Sequence, residues 1–91
     1  MLPLLCRCAL VSIVFNRGTS LSGSRRSEMR AIADILAKAD NPALERIERK
    51  IILTDVEDQI VAMQRLWGPE MGLYKRRQGE ANLWRIGLEM L

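Results

Sequence analysis

The chain has 91 residues, a formal net charge of +3, two cysteines and no histidine. That length allows one domain at most, and the missing histidine removes the usual acid–base catalyst at neutral pH and most zinc chemistry. The charge is divided unevenly: residues 1–27 hold four arginines (Arg7, Arg17, Arg25, Arg26) and no acid, whereas residues 28–91 hold ten basic and eleven acidic residues.

Residues 1–27 therefore read as a targeting-like leader or N-terminal extension, rich in Arg and Ser, ahead of a small helical body at 28–91. The stretch Ser20-Leu21-Ser22-Gly23-Ser24-Arg25-Arg26-Ser27 resembles the arginine-containing ends of mitochondrial presequences, with Arg26 second from a cut after Ser27. The resemblance implies a mitochondrial location. Secretory and cytoplasmic destinations are the alternatives; the apolar centre CALVSIVF is only eight residues and no Ala-x-Ala site follows it. Translation from Met29, with the preceding residues non-coding, would remove the address altogether. A membrane span needs about 20 mostly apolar residues, and Leu2–Phe15 offers fourteen with Arg7 among them. Membrane contact is thus expected only as a shallow one, and only if the leader is retained. Cys6 and Cys8 are too close for an unstrained disulfide and have no partner ligands for a metal, so they read as small apolar residues.

In the body, the spacing of Met29, Ile32, Ile35, Leu36 and Ala39 predicts a helix, capped by Ser27 with Glu28 in its first turn. Asp40-Asn41-Pro42 ends it and opens a second helix, with Asn41 as cap and Pro42 at the first helical position. That helix carries Leu44, Ile47 and Ile51 on one stripe, and Ile51-Ile52-Leu53 could leave it as a short extended piece. Thr54-Asp55-Val56-Glu57 has the spacing of a capping box and predicts the start of a third helix, bearing Val56, Ile60, Met63 and Trp67. Asp55, Glu57 and Asp58 would then complement its positive end rather than bind a cation. Gly68-Pro69 stops that helix, and Gly79 punctuates before a last helix from Glu80 to Leu91. The expected fold is all-α, a three- to four-helix unit preceded by the acid-free leader.

No catalytic, cofactor-binding or metal-ligating constellation emerges, so the reading is non-enzymatic. Gly68, Gly72 and Gly79 fit neither a P-loop nor a dinucleotide pattern, and the one Thr of the body, with Ser27 at its edge, is explained as a cap. A body this small barely offsets its ordering entropy by burial, and it has neither disulfide nor metal to help. A protein partner, or a second copy of the chain, is the remaining source of stability. The last helix is apolar on two sides, so the expected partner-binding surface is Trp84, Leu88 and Leu91, with Trp67, while Leu83, Ile86 and Met90 face inward. The expected function is a non-catalytic accessory or structural subunit, docked through apolar helix faces onto a larger, mitochondrial assembly. The alternative is a small nucleic-acid-binding or regulatory module, with Tyr74, Lys75, Arg76 and Arg77 contacting phosphates.

Overall fold

The computed structural model describes residues 2–17 and 23–91; Met1 and residues 18–22, which include Ser20 to Ser22 of the presequence-like stretch, lie outside them. The described residues form four α-helices, α1 (Leu4–Arg17), α2 (Ser27–Ala39), α3 (Arg46–Ala62) and α4 (Gly72–Leu88), with 3₁₀ turns at Ser24–Arg26 and Met63–Leu66 and no strand. This is a small all-α fold. Its packing order is not its chain order: α1 packs chiefly on α4, α4 on α3, and α3 on α2.

Helix α2 follows its periodicity. Met29, Ile32 and Ala39 are buried, Ile35 and Leu36 pack beside them, and Arg30, Asp34 and Lys38 stay in water. Ser27 is its first helical residue rather than its cap, since Arg26 holds the N-cap position. The buried Glu28 receives Arg65 Nε at 2.7 Å and Nη2 at 3.1 Å, which ties the start of α2 to the turn after α3. Burial by itself pushes the Glu28 carboxyl up. The Arg65 hydrogen bonds, with help from its own backbone N–H and Ser27, outweigh that and hold it below the usual range.

The α2–α3 link differs from the expected helix start at Pro42. Asn41 Oδ1 accepts the Ala43 N–H at 3.0 Å, and Arg49 donates to the carbonyls of Ala39 and Asn41, each at 2.9 Å. One guanidinium thereby satisfies carbonyls left open at the end of α2 and keeps residues 41–45 out of the helix. Helix α3 starts at Arg46, and the Glu45 N–H at its cap bonds Glu48 Oε1 at 3.1 Å.

Helix α3 then runs 17 residues straight through Thr54. The expected extended piece at 51–53 and the expected cap at Thr54 are both corrected: the Thr54 hydroxyl donates to the Lys50 carbonyl one turn back, at 2.9 Å. The reason is the apolar stripe Leu53, Val56, Ile60, Met63, which keeps helical spacing across the expected break and is wholly buried. Asp55 and Asp58 lie mid-helix in water, and Glu57 pairs with Arg85 at 3.2 Å. None of the three sits at a helix N-terminus.

Helix α4 begins at Gly72 and passes through Gly79 instead of starting at Glu80. Its orientation reverses the expectation: Trp84 is 0% exposed and Leu88 is buried, whereas Ile86 and Met90 face water. The Trp84 indole donates to the Leu53 carbonyl at 2.9 Å, anchoring α4 on α3. The second apolar side of α4 is covered by the chain's own α1, whose Cys6, Ala9 and Ile13 lie in the same core as Leu53 and Ile60. Small residues let the two helices meet closely. A methyl at Gly87 would stand 2.8 Å from the Cys6 backbone nitrogen, and Ala9 and Ala81 are fully buried.

Candidate binding sites

Two polar residues, Ser12 and Asn16, sit one turn apart on the inward side of a helix otherwise lined with apolar groups. They face a buried ion pair on α4. Arg77 is 0% exposed, and its Nη2 donates to Glu80 Oε2 at 2.7 Å. Arg77 Nη1 donates to Asn16 Oδ1 at 3.0 Å, and the Ser12 hydroxyl donates to Glu80 Oε2. The other edge of the pair, Nε against Oε1, is in ion contact without hydrogen-bond alignment. Arg76 Nε closes the network on the Ser12 hydroxyl at 3.2 Å. A buried pair repays more of its desolvation when neighbours add hydrogen bonds, and α1 supplies two here, from Asn16 and Ser12. The network thus fixes the register of α1 on α4.

This placement removes Arg77 from the phosphate-contacting role expected of Tyr74 to Arg77. The four residues lie in the first turns of α4. Arg77 is enclosed and Arg76 is engaged with α1; the Tyr74 carbonyl accepts Gln64 Nε2 at 3.1 Å, and Lys75 is exposed. Helical geometry sends the run to different sides, so it does not present one basic face.

A different set of cations converges beside Trp67. The end of α1, the turn before α2 and the turn after α3 line a pocket of about 280 Å³ with Asn16, Arg17, Arg25, Arg26, Trp67 and Leu73. The Arg17 guanidinium lies 5.4 Å from the Trp67 ring centroid, and that of Arg77 lies 5.6 Å from it. Such stacking fixes a guanidinium and leaves its edge free for an acceptor. Burial, followed by repulsion from Arg26, Arg77 and Arg25, holds the Arg17 pKa below its ordinary value, with Glu28 acting in the opposite sense.

The expected partner-binding residues divide. Trp84 and Leu88 are core, while Trp67 and Leu91 are half-buried against it. Physical accounting explains the error: α4 does have a second apolar side, but α1 occupies it. Among the described residues an exposed apolar strip lies instead on the outside of α1, where Leu4, Cys8, Val11 and Phe15 follow one another at helical spacing. Leu4, Val11 and Phe15 are 64%, 67% and 85% exposed. Sequence reasoning passed over this face because α1 is apolar on both sides and shows no polar–apolar alternation. Its signal was the pair of offset stripes, 6–9–13 and 4–8–11–15.

Cys6 is the buried thiol of the two, pushed up to about 11 by burial and therefore inert, and it shares its hydrogen with the Trp84 carbonyl at 3.4 Å. Among the described residues no group of three His, Cys, Asp or Glu is placed to hold a metal ion, and no helix is long and apolar enough to cross a membrane. Comparison with family models, with curated proteins and with solved structures finds no match.

Proposed function

We propose that this chain is a non-catalytic accessory subunit that joins a larger protein assembly through the outer face of α1. One observation carries the reading: Phe15 and Val11, with Leu4, stand in water on a helix whose opposite side is already spent on the core. A helix with apolar residues on opposite sides belongs between two surfaces, and among the described residues only the first of them is supplied. Scattered apolar residues are ordinary on a protein surface, but four at successive helical positions form a continuous strip.

The test is a double substitution, Val11→Glu with Phe15→Glu, in the full chain. Both side chains are solvent-facing, so far-ultraviolet circular dichroism and the unfolding midpoint should hardly change. Crosslinking in cells, read by mass spectrometry, should lose the partner that wild type captures through α1. Retention of that same crosslinked partner by the folded double variant would refute the proposal. Sedimentation of wild type adds one discrimination: self-association lost in the variant would make the partner a second copy.

A mitochondrial setting is part of the proposal and rests on the acid-free composition of residues 1–27. Because α1 supplies three core residues, the address proposed is one that stays on the folded chain. A reporter carrying residues 1–27 that remains diffuse, or enters the secretory pathway, would end this part of the reading.

A further inference from the structure

We infer that the pocket bounded by Arg17, Arg25, Arg26 and Trp67 binds a phosphomonoester group. Arg17 Nε and Arg26 Nη1 are shielded from solvent and have no hydrogen-bond acceptor among the described residues. An ionised donor buried without an acceptor is costly, far more than an ordinary unmade hydrogen bond. Both arginines line one cavity, where an acceptor supplied from outside would meet their guanidiniums.

Charge accounting leads the same way. The nearby carboxylates are already committed: Glu28 is held by Arg65 at 2.7 Å and Glu80 by Arg77 at 2.7 Å. No acid can come from the chain that joins α1 to the pocket's other wall, since residues 1–27 contain none. Three guanidiniums therefore border the cavity without a carboxylate of their own among the described residues. Arg17 is also held in place before any ligand arrives. Arg17 stacks on Trp67 and donates Nη2 to the Arg25 carbonyl, so its Nε edge is fixed.

The ligand class follows from that charge and that donor count. A carboxylate brings one negative charge and two oxygens. A phosphomonoester brings a charge near −2 at neutral pH and three strong acceptor oxygens, matched to several guanidinium forks. Trp67 and Leu73 offer an apolar wall for the carbon skeleton beyond the phosphoryl group. Free phosphate esters and the headgroup of a phosphomonoester lipid share this chemistry.

The full chain is titrated with inorganic phosphate while its thermal midpoint and the ³¹P line are followed, with acetate at matched ionic strength as comparison. Phosphate should raise the midpoint saturably, as a ligand of the native state must, and acetate should not. Arg26→Gln should weaken the response by about tenfold, the scale expected for one charge-assisted hydrogen bond. Arg25→Gln, at a more exposed wall, provides a second variant if the first does not fold. Lys38→Gln, an exposed cation on α2 far along the chain, should change nothing. In a parallel arm, phosphatidylcholine vesicles with and without phosphatidic acid separate the sources. Binding that depends on phosphatidic acid and on Arg26, without a response to inorganic phosphate, assigns the pocket to a lipid headgroup. Equal shifts from acetate and phosphate would show charge screening alone and would overturn the inference. So would equal losses in Arg26→Gln and Lys38→Gln, or the absence of binding in both arms.

Discussion

The α2–α3 and α1–α4 pairs are joined by different physics. Between α2 and α3 the contact is a broad aliphatic layer, Met29, Ile32, Leu53, Val56 and Ile60, fastened at its ends by surface-accessible polar ties. Between α1 and α4 the contact is close and narrow, built on Cys6, Ala9, Ala81 and Gly87, with an ion pair enclosed beside it. The first pair tolerates loss by relaxing, because aliphatic layers yield partly to a cavity. The second cannot relax without exposing charge or colliding backbones. Perturbations of α1–α4 should therefore cost more than matched perturbations of α2–α3.

The largest effect belongs to removal of residues 1–27. The fragment 28–91 loses Cys6, Ala9 and Ile13 from the core, uncovers Trp84 and strips Arg77 of Asn16. It should unfold without a cooperative transition and bind hydrophobic dyes, as a loosely packed helical state does. A cooperative melt at the full-length midpoint would show that α1 is an ornament on a self-sufficient three-helix body.

Glu80→Ala comes next. It leaves the Arg77 guanidinium enclosed with no counter-charge, and breaking a buried pair in this way costs about 3–5 kcal/mol. Urea denaturation reads the loss directly. Replacing Arg77 and Glu80 together by Met and Leu should recover most of it, because both desolvation costs disappear. Failure of the double replacement to recover stability would mean that the network, with Ser12 and Asn16, is needed for packing and not only for charge.

Two glycines of one helix sharpen the contrast further. A methyl at Gly87 meets the Cys6 backbone nitrogen at 2.8 Å and the Leu5 Cβ at 2.9 Å, and neither can swing aside. Gly87→Ala should cost about 2–3 kcal/mol through overpacking. A methyl at Gly79 meets nothing within 4 Å, so Gly79→Ala should stabilise α4 by up to about 1 kcal/mol. Equal effects at the two positions would contradict the close approach of α1.

On the α2–α3 side the matched charge test is milder. Glu28→Gln keeps the shape and loses the charge that Arg65 meets, at about 1.5 kcal/mol near neutrality. The folded carboxyl titrates below its unfolded value. Its contribution is therefore complete above the ordinary glutamate range and fades as pH falls through the depressed folded value. Urea midpoints taken from neutral to acid pH should fall less steeply in Glu28→Gln than in wild type.

These differences track what could be read from the residues. Helix α2 was legible to within its cap because its outer face is polar, so the stripe of Met29, Ile32 and Leu36 stands out. Gly68-Pro69 marks only the end of helical structure: α3 itself stops at Ala62, and a 3₁₀ turn carries the chain to Leu66 before the extended Trp67. Helix α1 was not legible as a core element, because an apolar surround erases the alternation on which such a reading depends. That omission carried over to α4: with its cover set aside, Trp84 and Leu88 looked like an outward stripe. Periodicity assigns residues to a common side but does not say which side is in. The arginine pocket was visible only as a charge excess, since its convergence on Trp67 joins residues 16–26 to a turn much further along the chain.

The smallest predicted effect decides where α3 begins. As an N-cap, Thr54 would lose about 1 kcal/mol on substitution by alanine. As an exposed mid-helix residue its hydroxyl bonds back to the Lys50 carbonyl, which already has a helical donor, and its branched side chain disfavours the helix. Thr54→Ala should then stabilise the protein by about 0.5 kcal/mol, the propensity difference alone. The opposite sign is expected at the true start, where Glu48→Ala removes the acceptor for the Glu45 N–H. The spacing Thr54-x-x-Glu57 matches a capping box, but its physics needs free backbone N–H groups after the threonine. Inside a continuous α3 those groups are already bonded one turn back. A loss of stability in Thr54→Ala, with none in Glu48→Ala, would move the helix start to Thr54 and divide α3 in two.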